Sequence, residues 1–152
     1  MERSFYEIDF GLLHWNSDYY CKLKGLSIQH DCIIFVLDHA GVDLRKYIED
    51  TEIQWDISHT LKLVKFLSEV IILLQKENKI HRDIKRANIC CGTKKCLKFT
   101  LIDLGLLAEV GTGSNGGGTQ GFTSFENGLN ADVFSVGTVL AWAMGRNFKV
   151  WL

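Results

Sequence analysis

The stretch from Asp132 to Met144 carries one charge at its first position and then, apart from Ser135, Gly137 and Thr138, only apolar residues. A helix that is apolar all round must be enclosed by a core or by a bilayer, and about 13 residues fall short of the roughly 20 that hydrocarbon requires. The pattern therefore predicts a core helix that other elements surround. A chain of 152 residues supports one such core. Hydrophobic residues at 47% and charged residues at 23% are those of a folded domain, which excludes a disordered or fibrous chain.

The other elements are readable at lower resolution. From Ser58 to about Lys76 the apolar positions Leu63, Leu67, Val70, Ile71 and Leu74 recur at three- and four-residue steps, with Lys62, Lys65, Glu69 and Lys76 on the remaining faces, so a second, amphipathic helix is expected. Cys32-Ile33-Ile34-Phe35-Val36-Leu37 reads as a buried strand that leaves into a turn at Asp38-His39-Ala40-Gly41, and Asp43 or Thr51 is placed to cap a short helix. Leu97 to Ile102 reads as a strand, and the glycine-rich run from Gly111 to Gly118 as a loop.

Seventeen Lys plus Arg against eighteen Asp plus Glu give a net charge of -1, so no basic field invites direct contact with nucleic acid or an anionic membrane. Met1-Glu2-Arg3-Ser4 lacks a targeting pattern, and an intracellular protein is expected. The five cysteines, Cys21, Cys32, Cys90, Cys91 and Cys96, form no CxxC pair and suit reduced thiols better than a disulfide framework or a zinc site. Proline is absent altogether.

Chemistry concentrates between the amphipathic helix and the second strand. There His81-Arg82-Asp83-Ile84-Lys85-Arg86-Ala87-Asn88 is followed, fifteen residues after Asn88, by Asp103-Leu104-Gly105. Asp, Asn, Lys and Arg would also populate a solvated turn, but further elements follow in a recognisable order: Gly118-Thr119-Gln120-Gly121-Phe122, Ser124-Phe125-Glu126, and Asp132-Val133-Phe134-Ser135-Val136-Gly137. Together they resemble the catalytic loop, the magnesium-binding element, the end of the activation segment and the loop-supporting helix of eukaryotic-type serine/threonine protein kinases. The resemblance implies an α+β kinase-like fold, mainly the helical large lobe, and an ATP- and Mg²⁺-dependent transfer of phosphate to protein hydroxyls. It makes Asp83 the base that orients the acceptor, Lys85 the cation that steadies the transferred phosphate, and Asn88 with Asp103 the metal ligands. His81 and Arg82 become structural, with Arg82 available to an acidic or phosphorylated loop residue.

Upstream, Phe35 to Leu44 is similar to the last small-lobe strand and the hinge of such kinases. That implies adenine contacts from the backbone of Asp38 and Ala40, Leu37 behind them, Asp43 at the ribose and Cys90 as pocket floor, with Glu7 in a remnant of the regulatory helix over Tyr6 to Leu13. One incomplete domain is expected over 1–152: a small-lobe remnant over 1–37, a hinge over 38–44 and a partial large lobe over 45–152. If Glu7 is so placed, no residues remain for a glycine-rich strand pair or for the strand that carries a phosphate-binding lysine. Arg86 and Phe125 replace the family's usual prolines, which is expected to loosen two turns.

Gly118 to Phe122 and Leu97 to Leu106 look most like the cell division control protein 7 family, which implies an activating regulatory subunit, a nuclear setting and a role in replication. A casein-kinase-like or cyclin-dependent relative stays open, as does a catalytically silent kinase-like module that binds a kinase or its regulator.

Overall fold

The computed structural model describes residues 17–30, 32–50, 53–92, 97–111 and 129–145. In chain order the elements are β1 (Leu23–Ile28), β2 (Ile33–Leu37), β3 (Val42–Asp43), α1 (Leu44–Glu49), α2 (Ile57–Lys76), β4 (Lys79–Ile80), a 3₁₀ turn (Arg86–Asn88), β5 (Ile89–Cys91), β6 (Phe99–Leu101), β7 (Ala108–Glu109) and α3 (Leu129–Gly145). The described residues mix helix and sheet, with helices dominant.

Helix α2 is the amphipathic element that the periodicity predicts. It starts one residue earlier than expected because Asp56 caps it: the Asp56 carboxylate accepts the His59 amide at 2.9 Å, and the His59 ring closes the reciprocal bond to the Asp56 amide. Leu63, Leu67, Val70 and Leu74 are buried, joined by Phe66. Against this face pack Leu44 and Tyr47 of α1, Ile89 and Cys91 of β5, Phe99 and Leu101 of β6, and Val139 and Ala143 of α3. Trp55 and Phe99 meet edge-on at 6.4 Å, and the Trp55 indole donates to Thr60 at 3.0 Å, so the aromatic corner is polar-satisfied. Helix α1 is capped by Asp43, one of the two expected caps; Thr51 lies outside the described residues.

Three small sheets join these helices. β3, β5 and β6 form an antiparallel sheet with Asp43 opposite Cys90 and Ile89 opposite Leu101. β4 pairs with β7, and β1 with β2. Gly41 makes the approach of β3 to β5 possible: at φ +103 a Cβ there would lie 1.9 Å from the Cys91 carbonyl oxygen.

Two expectations about burial are corrected. The run Cys32 to Leu37 does form a strand, but Ile34, Val36 and Leu37 are 41%, 53% and 51% exposed, because β2 belongs to a two-stranded ribbon with no third layer over it among the described residues. Helix α3 buries Ala131, Asp132, Ser135, Val139 and Ala143 and leaves Val133, Phe134 and Met144 exposed, so it is a core helix on one side only. No described helix is long and apolar enough to cross a membrane.

Candidate active site

The site is built on the loop between β4 and β5. Its foundation is Asp132, 2% exposed at the start of α3, whose two carboxylate oxygens accept the amides of His81 at 2.6 Å and Arg82 at 2.8 Å. A carboxylate that accepts two successive amides holds the chain more firmly than a neutral acceptor would, and it fixes Arg82 in the left-handed region at φ 68. Arg82 also donates from Nε to the Leu106 carbonyl at 2.6 Å, which ties the loop to the segment that follows Asp103. The motifs at Gly118 to Phe122 and Ser124 to Glu126, and Glu7, lie outside the described residues.

His81 is completely buried beneath the loop. Burial drives its pKa down, against the opposing pull of Asp132, Asp83 and Asp103, so the ring is neutral near pH 7. Its Nδ1 accepts the Asp83 amide at 3.3 Å, which puts the proton on Nε2.

On this base the loop gathers Asp83, Lys85 and Asn88. Asp83 is 5% exposed; its Oδ2 accepts from Lys85 Nζ at 2.7 Å and from Asn88 Nδ2 at 3.0 Å, and its carbonyl accepts the same Asn88 amide group at 2.9 Å. Both Asn88 amide protons are thereby engaged, and its side-chain oxygen faces away from those bonds as the atom suited to a hard cation. Asp103 reaches the site by strand register: Ile89 pairs with Leu101, the Asn88 carbonyl accepts the Ile102 amide at 2.9 Å, and Asp103 follows at once. Asp103 sits at φ 64, a conformation uncommon outside glycine, and its Oδ1 accepts the Gly105 amide at 3.3 Å. One amide oxygen and one carboxylate are a donor set that fits Mg²⁺, which takes few protein ligands and fills its shell with water and phosphate oxygens.

The residues expected around adenine are only partly brought together. Asp43 shares a hollow of about 340 Å³ with Lys85, Arg86, Ala87 and Arg45. Cys90 lies opposite Asp43 in the sheet and is buried, and burial followed by the Asp43 charge raises its pKa, so it presents a neutral thiol. Asp38 and Ala40 instead line a separate hollow with Tyr20, Cys21 and Lys98. There the Asp38 carbonyl accepts from Cys21 Sγ at 2.8 Å, and the Asp38 amide donates to the Lys22 carbonyl at 2.8 Å. Leu37 ends β2 half exposed. Sequence reasoning placed Asp132 at the start of a loop-supporting helix without naming it a site residue, and the structure shows that the carboxylate itself gives the support; Cys21 was missed.

The model of the protein tyrosine and serine/threonine kinase family matches residues 11–142, most of the chain. The chain belongs to that family. A crystal structure of the yeast RNA polymerase II CTD kinase complex CTDK-1 superposes with a TM-score of 0.81 at 19% identity, over 96% of this chain and 51% of that one. This kinase-family chain thus spans about half the length of that neighbour, and the likeness is one of fold. The neighbour is one of 1214 matching solved chains, so it singles out no subfamily. No curated protein sequence matches.

Proposed function

We propose that the chain is the acceptor- and metal-handling part of an ATP-dependent serine/threonine protein kinase. The observation that carries this is the single hydrogen-bonded cluster in which Asp83 receives both Lys85 and Asn88 beside the turn leading to Asp103. On this reading Asp83 orients the acceptor hydroxyl and takes its proton. Lys85, already 2.7 Å from Asp83, neutralises it before substrate arrives and then turns to the transferred phosphate. Asn88 and Asp103 hold Mg²⁺, which when bound neutralises charge on the phosphate oxygens. The buried neutral His81 and the clamp from Asp132 keep Asp83 in place, so little reorganisation accompanies the transfer. Residues 38–44 serve as hinge, 1–37 as small-lobe remnant and 45–152 as partial large lobe, with Asp43 at the ribose and Cys90 beneath the base. Asp38, Ala40 and Leu37 contact adenine once the Cys21 thiol shares or yields the Asp38 carbonyl.

Serine or threonine as acceptor is supported by Lys85 two residues after Asp83. The finer reading, a relative of cell division control protein 7 acting in the nucleus in cell-cycle or replication control with a regulatory subunit, rests on Leu97 to Leu106 and Gly118 to Phe122 alone. The test is MgATP binding by thermal shift, then phosphate transfer to a mixed Ser/Thr peptide library. Asp83→Asn is expected to lower transfer by about 10²-fold or more while MgATP still shifts the melting temperature. Wild-type protein that neither binds nor consumes MgATP ends this reading. A second reading, a silent module that docks on a kinase or its regulator, is favoured by the exposed apolar residues Ile28, Ile34, Val36, Val133 and Phe134, and that result would select it.

A further inference from the structure

The turn Arg86–Asn88 carries the proposed metal ligand Asn88, yet its local support is thin. It is three residues long, and Lys85 at its N-cap makes no side-chain capping bond. One backbone bond, from the Asn88 amide to the Lys85 carbonyl at 2.9 Å, closes it. Short 3₁₀ turns with a single such bond hold their shape poorly on their own, and a metal ligand must be held to fractions of an ångström. Downstream, Asn88 is fixed by the bond from Ile102 and by β5. Upstream, the first residue of the turn is Arg86, which lacks the backbone restraint of a proline.

What Arg86 has instead is a side-chain anchor. Its guanidinium carbon lies 4.7 Å from the ring centroid of Trp142, within cation–π range, and both side chains are partly buried. Trp142 packs against the core from α3, the same helix whose Asp132 holds the amides of His81 and Arg82. Ten residues separate Asp132 from Trp142, about 15 Å along a helix axis. Helix α3 therefore grips the loop at two points, ahead of Asp83 and behind Lys85, with the reactive side chains between the grips.

We propose that Arg86 is a positioning residue: stacked on Trp142, it sets the turn so that Asn88 bonds Asp83 and presents its oxygen to the metal. The sequence expectation that losing proline simply loosens this turn is thereby replaced by an exchange of one restraint for another. A planar guanidinium suits the role better than an ammonium, because it can lie flat on the indole. The proposal rests on the kinase reading for its consequence, though not for its geometry.

The test uses the full chain carrying Arg86→Gln, Arg86→Lys, Arg86→Pro or Trp142→Leu, each checked for an intact fold by thermal melting. Two quantities are read: the NMR resonances of the Asn88 side-chain amide without nucleotide, and the Kd for MgATP. Arg86→Gln and Trp142→Leu are each expected to move the Asn88 resonances and weaken MgATP by about three- to tenfold, with no further loss when combined. Arg86→Lys should fall between these and wild type. Arg86→Pro restores both quantities, since proline is tolerated at the first position of a helical turn, and in its presence Trp142→Leu changes nothing more. Unmoved Asn88 resonances in Arg86→Gln, a variant that leaves the core intact, overturn the proposal, as does a further loss from Trp142→Leu in the proline background. Asn88 resonances that move in a chain binding no MgATP sustain the strut and reject the nucleotide reading.

Discussion

The loop from His81 to Asn88 and the ribbon of β1 and β2 reverse the usual placing of polar and apolar groups. In the loop, His81, Asp83 and Asn88 are at most 5% exposed, and each has hydrogen-bond partners from neighbouring elements or from within the loop. In the ribbon, Leu26, Ile28, Ile33, Ile34, Val36 and Leu37 are all more than 40% exposed. Burying polar groups is tolerable only when they are satisfied, and the loop largely meets that condition through α3 and its own bonds, the buried His81 Nε2 being the exception. Exposing apolar groups along a sheet is tolerable only at a loss of driving force, and nothing described compensates for it in the ribbon. The loop thus couples its polar cluster to the core, while the ribbon is organised mainly by backbone pairing and exposed side-chain contacts such as Lys24 with Asp38.

The loop depends most heavily on Asp132. Replacing it by Ala leaves the His81 and Arg82 amides without acceptors inside the fold, and a loss of about 3–5 kcal/mol in urea unfolding is expected, with the Asp83 cluster disordered first. A loss below about 1 kcal/mol would mean that the loop holds itself.

Acidity separates the two regions next. Because burial depresses the His81 pKa, the unfolded chain binds a proton that the folded chain refuses once pH falls below about 6.5. Stability is therefore complete above that value and declines as pH drops through it, by up to about 1.4 kcal/mol per pH unit for this one group. Denaturant melts from pH 7 to pH 5 should show the slope, and His81→Gln should remove it. Asp56, lowered by its bonds to His59, acts in a separate window: its contribution persists above about 3.8 and is lost only as pH falls through its lower folded value.

The smallest effect is expected in the ribbon. Ile28→Lys and Ile34→Lys should each change unfolding stability by no more than about 0.5 kcal/mol, since these side chains are 75% and 41% exposed. A loss of several kcal/mol in the full chain would show that something covers them, and would place the ribbon under the same rules as the loop.

Much of this was legible beforehand, for reasons that differ by element. Helix α2 declared itself because its burial is one-sided, and a 3.6-residue period records one-sided burial directly. The cluster of Asp83, Lys85 and Asn88 was legible because local spacing brings those residues together within a single loop. The helix opening at Asp132 was read by resemblance as the support of the loop, but the pattern did not say which of its groups holds which amide about fifty residues away. Exposure was misjudged in β2 and α3 because hydrophobic content says that a surface prefers cover without saying whether cover is present. The stack of Arg86 on Trp142 escaped because the partner lies on a helix distant in sequence, and no local spacing encodes the pair.

The clamp between Asp132 and the amides of His81 and Arg82 also bears on how the molecule is made. During synthesis the loop emerges well before the helix that fastens it, so for the time needed to add some fifty residues its buried polar groups have only water as a partner. Closure over that sequence separation is a late, slow event compared with formation of α2, whose contacts are local. A nascent chain arrested before Asp132 would thus carry Asp83, Lys85 and Asn88 without the clamp that fastens their loop, which makes completion of the proposed site a step in folding rather than a property of the loop.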